Sequence, residues 1–95
     1  MGSRSLCSGC LRRLGGIVRA LDAKGVGDAA KEAAGSLWAY HAALAGVRSR
    51  PITRARRRVY RAVYDRLVAM GASRLEVATL LETNVQTIQL ALDEC

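Results

Sequence analysis

Large apolar side chains recur at three- and four-residue spacing along most of the chain, the period of a helix buried on one face. Leu6, Cys10, Leu14, Ile17 and Leu21 form the first such stripe, over residues 6–23, interrupted by Gly15-Gly16. Gly25-Val26-Gly27 reads as a turn, and Asp28 as the N-cap of a second helix over 28–45. Its heavier face carries Leu37, Tyr40, His41 and Leu44, and Gly46 stops it. The single proline, Pro51, marks the next break. Thr53 then caps a third helix running to residue 70, with Val59, Val63, Leu67 and Met70 inward and Gly71 ending it. Ser73 and Glu76 have the spacing of a capping box, which starts a fourth helix. Asn84 caps a short fifth one. The expectation is an all-α fold of about five helices without strands: a helical hairpin over 1–46, then three helices over 47–95, in one compact domain.

The kind of apolar residue agrees with that expectation. Sixteen are Ala, and there is one Trp and no Phe, so any core is thin and closely packed, which favours helices. No segment has the roughly 18 consecutive apolar residues of a membrane span. The first residues lack the apolar stretch of a secretory signal, so a cytoplasmic, nucleoid-associated location is expected. The formal charge of +7 suggests a polyanionic partner, and it is local. Residues 1–46 carry six basic and three acidic groups, and residues 67–95 one basic against four acidic. Residues 47–66 hold eight basic groups against Asp65 alone, so this one stretch accounts for the whole excess.

The run from Val77 to Leu92 resembles the helix-turn-helix of DNA-binding regulators of bacterial, plasmid or phage type. Ala78 stands where that family has a small residue at the helix crossing. Val77, Leu81, Ile88 and Leu92 match its apolar packing positions, and Asn84 the short polar residue that opens the recognition helix. The match departs from the pattern at Glu82, where a turn glycine is common, at Thr83, where an apolar residue is usual, and at the acidic end Asp93-Glu94-Cys95. The resemblance implies a recognition helix whose first residues reach base edges in the major groove. Asn84, Val85, Gln86 and Gln89 are then the base-contacting candidates: Gln86 and Gln89 suit adenine, and Val85 a thymine methyl. The phosphate-contacting candidates are Arg48, Arg50, Arg54, Arg56, Arg57, Arg58, Arg61 and Arg74, with Thr83 and Thr87. Arg54, Arg58 and Arg61 share one face opposite Val59 and Val63, and Arg48 and Arg50 form an arm ahead of Pro51.

The expected function is a sequence-specific transcriptional regulator, a repressor that occupies an operator on double-stranded DNA as a homodimer. The hairpin over 1–46 is the expected source of the dimer interface, with Leu37, Trp38 and Leu44 as anchors. Two alternatives use the same fold: a phage-type inhibitor or antirepressor that covers a partner protein, and a non-specific nucleic-acid binder. Cys7 and Cys10 form a C-x-x-C, the only metal candidates, and weak ones: zinc needs four ligands, and only His41 and Cys95 remain. Cys10 reads more simply as a small residue of the first stripe. No cofactor and no small-molecule effector is suggested. The chain has no nucleophile–base pair, phosphate loop or paired carboxylates, so the expectation is a protein that is not an enzyme.

Overall fold

The structure, a computed structural model, describes residues 8–47 and 49–94, with side chains except those of residues 8–11, 13 and 94. Leu6, Cys7, Arg48 and Cys95 lie outside the described residues, as does the side chain of Cys10. Six helices are found among the described residues, and no strand: α1 (Ser8–Ala23), α2 (Gly27–Ala34), α3 (Leu37–Ala45), α4 (Arg50–Ala69), α5 (Arg74–Leu80) and α6 (Val85–Glu94). The chain is all-helical, as its periodicity implies.

The additional helix arises at Gly35-Ser36. The helix expected over 28–45 divides there because Gly35 takes up a left-handed backbone (φ 92°), and its N–H bonds to the carbonyls of Lys31 and Glu32. Ser36 then starts α3, its Oγ accepting from the Ala39 N–H at 3.0 Å. A glycine that ends one helix beside a serine that caps the next is a strong local signal. The alanines on either side disguised it. Gly15-Gly16 has the opposite outcome and stays inside α1, which continues to bury Ile17 and Leu21.

The start of α4 also differs from expectation. Ser49, not Thr53, is its N-cap, accepting from the Ile52 N–H at 3.4 Å, and Pro51 sits in the first turn, where its missing N–H costs nothing. Arg50 therefore belongs to the helix and is not part of a flexible arm. At the other end, Met70 is the residue beyond the last helical turn and is 59% exposed rather than inward. Gly71 (φ 97°) closes that end, with Ala72 N–H bonded to Leu67 O and Gly71 N–H to Val68 O, each at 2.9 Å. The capping box forms as its spacing predicts: Glu76 N–H donates to Ser73 Oγ and Ser73 N–H to Glu76 Oε1.

One core draws on all six helices. Ile17 and Leu21 of α1, Ala30 of α2, Tyr40 and Leu44 of α3, Val59 and Val63 of α4, Val77 of α5 and Ile88 of α6 are all buried in it. The two stretches divided at residue 46 thus share their interior. Leu44, expected as a dimer anchor, is part of this core, whereas Leu37 and Trp38 stand exposed at the start of α3. Helix α4, about 30 Å long at 1.5 Å per residue, is packed against α2, α3, α5 and α6. It carries seven arginines, among them Arg50, Arg54 and Arg61 on its remaining face.

Candidate nucleic-acid interface

Arg50, Arg54, Arg57 and Arg61 lie four, three and four residues apart on α4 and make one longitudinal stripe. It runs about 16 Å at the helical rise, on the side away from the buried Ile52, Val59 and Val63. Arg50 and Arg54 are exposed and make no hydrogen bond or ion pair among the described residues. Arg61 Nε stands 3.8 Å from Asp65 Oδ2, with both side chains exposed, a pairing of little energetic weight. Arg57 is half-buried in a cleft lined by Thr53, Arg56 and Tyr60 of α4 and by Thr87, Leu90 and Ala91 of α6. The stripe therefore borders α6.

Two arginines of the same run have a different task. Arg56 donates from Nε to Ala43 O at 3.0 Å and from Nη2 to Val47 O at 2.6 Å. Arg58 Nε donates to Ala33 O at 3.0 Å. These carbonyls belong to the last turns of α3 and α2 and to the segment just after α3. The last four carbonyls of a helix have no partner within it, and a guanidinium supplies one. Arg56 and Arg58 were expected on phosphates, and the structure turns their guanidinium groups to the protein's own backbone instead. Arg58, expected to share a face with Arg54 and Arg61, is rotated away toward α2.

The segment joining α5 to α6 is set by an unusual residue. Glu82 has φ 54°, the only non-glycine residue with positive φ among those described. Thr83 N–H bonds to Ala78 O at 2.9 Å and Glu82 N–H to Thr79 O at 3.1 Å. This is the helix-closing arrangement that Gly71 makes after α4, here built on a glutamate. The requirement for positive φ that a glycine usually meets at this point is thus present, and Glu82 meets it. Ala78, Leu81 and Ile88 are buried around the turn. Asn84 opens α6 as expected, its Oδ1 accepting from Thr87 N–H at 2.7 Å and from Thr87 Oγ1 at 2.9 Å. That bond directs the Thr87 hydroxyl proton to the cap.

The outer face of α6 differs from the expected one at two positions. Gln86 is exposed and has no partner among the described residues. Val85 is half-buried and packs against the main core, so it does not face outward. Its helical position turns inward with Ile88 and Leu92, a consequence of the 3.6-residue period. In its place stands Leu90, 59% exposed and one turn beyond Gln86. Gln89, half-buried, donates from Nε2 to Asp93 Oδ1 at 2.9 Å, so a carboxylate shares its polar end. Thr83 is half-buried in the turn, and Arg74 exposed at the start of α5. Among the described residues no three His, Cys, Asp or Glu side chains gather as a metal site, and no helix is long and apolar enough to cross a membrane.

No protein-family model matches the chain, and neither a curated protein nor a solved structure does.

Proposed function

We propose that the protein binds double-stranded DNA through a helix-turn-helix made by α4, α5 and α6, as a small sequence-specific transcriptional regulator, most simply a repressor that occupies its operator. The observation that carries this reading is the adjacency of the arginine stripe on α4 to the outer face of α6, across the cleft of Arg57, Thr87 and Leu90. Arg50, Arg54 and Arg61 are the residues for phosphate neutralisation, which supplies affinity through counterion release. Gln86, exposed near the helix start, is the residue for base-edge hydrogen bonds, with the Asn84 amide beside it. The left-handed turn at Glu82 supports the reading, since it joins the two helices in a short and fixed segment.

Selection of preferred sites from random duplex DNA, followed by anisotropy titrations at several salt concentrations, tests it. Gln86→Ala is expected to relax sequence preference at one or two positions while leaving the salt dependence unchanged. Arg54→Ala is expected to weaken all sequences alike and to lower the salt slope by about one. Binding that selects no sequence, and is indifferent to Gln86, makes the protein a non-specific nucleic-acid binder. A second reading, a cover for a partner protein in the manner of an inhibitor, is favoured by one feature: Leu90 and Asp93 put an apolar and an acidic group on the same face as Gln86. No DNA binding at low salt selects that reading.

A further inference from the structure

Asn84, Gln86 and Gln89 each bring a side-chain amide to the start and outer face of α6, and the three are left with different hydrogen-bonding capacity. A free carboxamide offers two N–H donors and an acceptor oxygen. Asn84 spends its oxygen on the cap, where Oδ1 accepts from Thr87 N–H at 2.7 Å and from Thr87 Oγ1 at 2.9 Å. A backbone N–H can only donate, so this bond fixes the amide's orientation and leaves its two N–H donors over. Gln89 is the reverse case. Its Nε2 donates to Asp93 Oδ1, one turn further along α6, at 2.9 Å. An ionised carboxylate can only accept, so the amide nitrogen is held there and Oε1 is left as an acceptor. Gln86 has no partner among the described residues and keeps both capacities. Gln86, Gln89 and Asp93 lie three and four residues apart and share one face of the helix.

We infer that these internal bonds set the base preference of α6: Gln89, held by Asp93, takes the amino group of cytosine, and Asn84 takes guanine. The inference rests on the DNA-binding reading above and names bases that it leaves open. In the major groove cytosine offers only a donor, its N4 amino group. Guanine offers only the acceptors N7 and O6, and adenine one donor and one acceptor. The remaining oxygen of Gln89, with the negative charge of Asp93 a turn away, matches the cytosine donor. Adenine would set its N7 acceptor against the same acceptors, and guanine and thymine present acceptors to them directly. The two N–H donors of Asn84 match guanine O6 and N7, and Gln86 keeps the donor–acceptor pair that suits adenine. From their residue type alone Gln86 and Gln89 have the same preference; Asp93 separates them. Asp93 acts as a positioning residue, through the Gln89 amide, and the acidic end of α6 thereby takes part in choosing the base.

Selection of sites from random duplex DNA by the full chain, repeated for variants, tests it. The position read by Gln89 is the one whose preference Gln89→Ala relaxes. The wild type is expected to select cytosine there, and a T·A pair in its place to weaken binding about fivefold or more. Asp93→Ala releases Gln89 Nε2 and is expected to shift that position from cytosine to adenine. Adding Gln89→Glu to Asp93→Ala restores an acceptor-only side chain and the original net charge. This double variant is expected to bring cytosine back with the salt slope unchanged. Asn84→Asp keeps a good N-cap but removes the donors, so it is expected to erase a guanine preference without loss of helicity. A merely structural contact between Gln89 and Asp93 would alter stability slightly and leave the selected sites as they were. An Asp93→Ala variant that selects the wild-type sites therefore overturns the inference. So does a wild type with no cytosine at the position read by Gln89. In both cases a preference that Gln86→Ala relaxes leaves the DNA-binding reading standing, whereas binding that selects no sequence overturns the two together.

Discussion

Arg56 and Arg54 are two residues apart on one helix, carry the same charge, and are predicted to fail in opposite ways. Arg56 makes two charge-assisted hydrogen bonds to backbone carbonyls, at 3.0 Å and 2.6 Å, at a half-buried position. A bond of this kind contributes about 1.5–3 kcal/mol; on its removal Val47 O loses this donor, while Ala43 O keeps the Gly46 N–H at 3.3 Å. Partial access of water to those carbonyls reduces the loss, so Arg56→Ala should cost about 2–3 kcal/mol. In a domain of this size each kcal/mol moves the midpoint by roughly 4–8 °C, which makes the shift about 10–20 °C. Arg54→Ala removes an exposed side chain that has no partner among the described residues and should stay within about 0.5 kcal/mol of wild type. Thermal and urea unfolding followed by circular dichroism give both numbers. Arg56→Lys should recover only part of the loss, because a single ammonium does not reproduce the guanidinium fork. DNA titration at a temperature where all variants are folded completes the comparison: Arg54→Ala lowers the salt slope and Arg56→Ala does not. Equal stability of the two alanine variants would refute the assignment of Arg56 to the fold, and a larger loss of DNA affinity for Arg56→Ala would return it to the phosphates.

Tyr40 is fully buried, and its hydroxyl has no hydrogen-bond partner among the described residues. Burial, aided by the charge of Asp22, pushes the phenol up to about 12. Tyr40→Phe deletes an unpaired polar atom and should be neutral or stabilising by about 1 kcal/mol. Because the folded value lies above the unfolded value near 10, wild-type stability is unaffected below pH 10 and falls as pH rises toward 12. The phenylalanine variant lacks that loss, so urea unfolding should find its advantage growing across this window, and a constant difference would count against the burial. Glu82 presents a separate backbone test. A branched Cβ is poorly tolerated at φ 54°, so Glu82→Val should cost about 1–2 kcal/mol, whereas Glu82→Gly should remain within about 1 kcal/mol of wild type. Equal midpoints for the two variants would mean that the left-handed turn is not populated in solution.

What could be read from the sequence was mainly local. The capping box at Ser73, the cap at Asn84, the stop at Gly71 and the stripes of α1, α4 and α6 each depend on residues within one or two turns of one another. The demand for positive φ after α5 was legible as well, although Glu82 supplied it without the expected glycine. Tasks set by distant partners were not legible. Arg56 meets a carbonyl 13 residues away and Arg58 one 25 residues away, and nothing in a run of arginines separates these two from Arg54. Val85 and Met70 were misplaced by a fraction of a turn, enough to exchange inside for outside. Nothing in the sequence marks Leu90 as a surface residue, because a leucine in a helical pattern is ordinarily assigned to the core.

The side chains that hold α6 and those it presents are different residues. Ile88 and Ala91, helped by half-buried Val85 and Leu92, fasten the helix, while Gln86, Leu90 and Asp93 contribute little to that attachment. Such a division lets the presented surface diverge rapidly. Under the proposed reading, in which α6 is the contacting helix, substitutions at the three outer positions alter what it meets without passing through an unstable intermediate, so the partner can change one residue at a time. A library randomised only at those positions should therefore consist mostly of folded proteins, with their differences confined to what they bind.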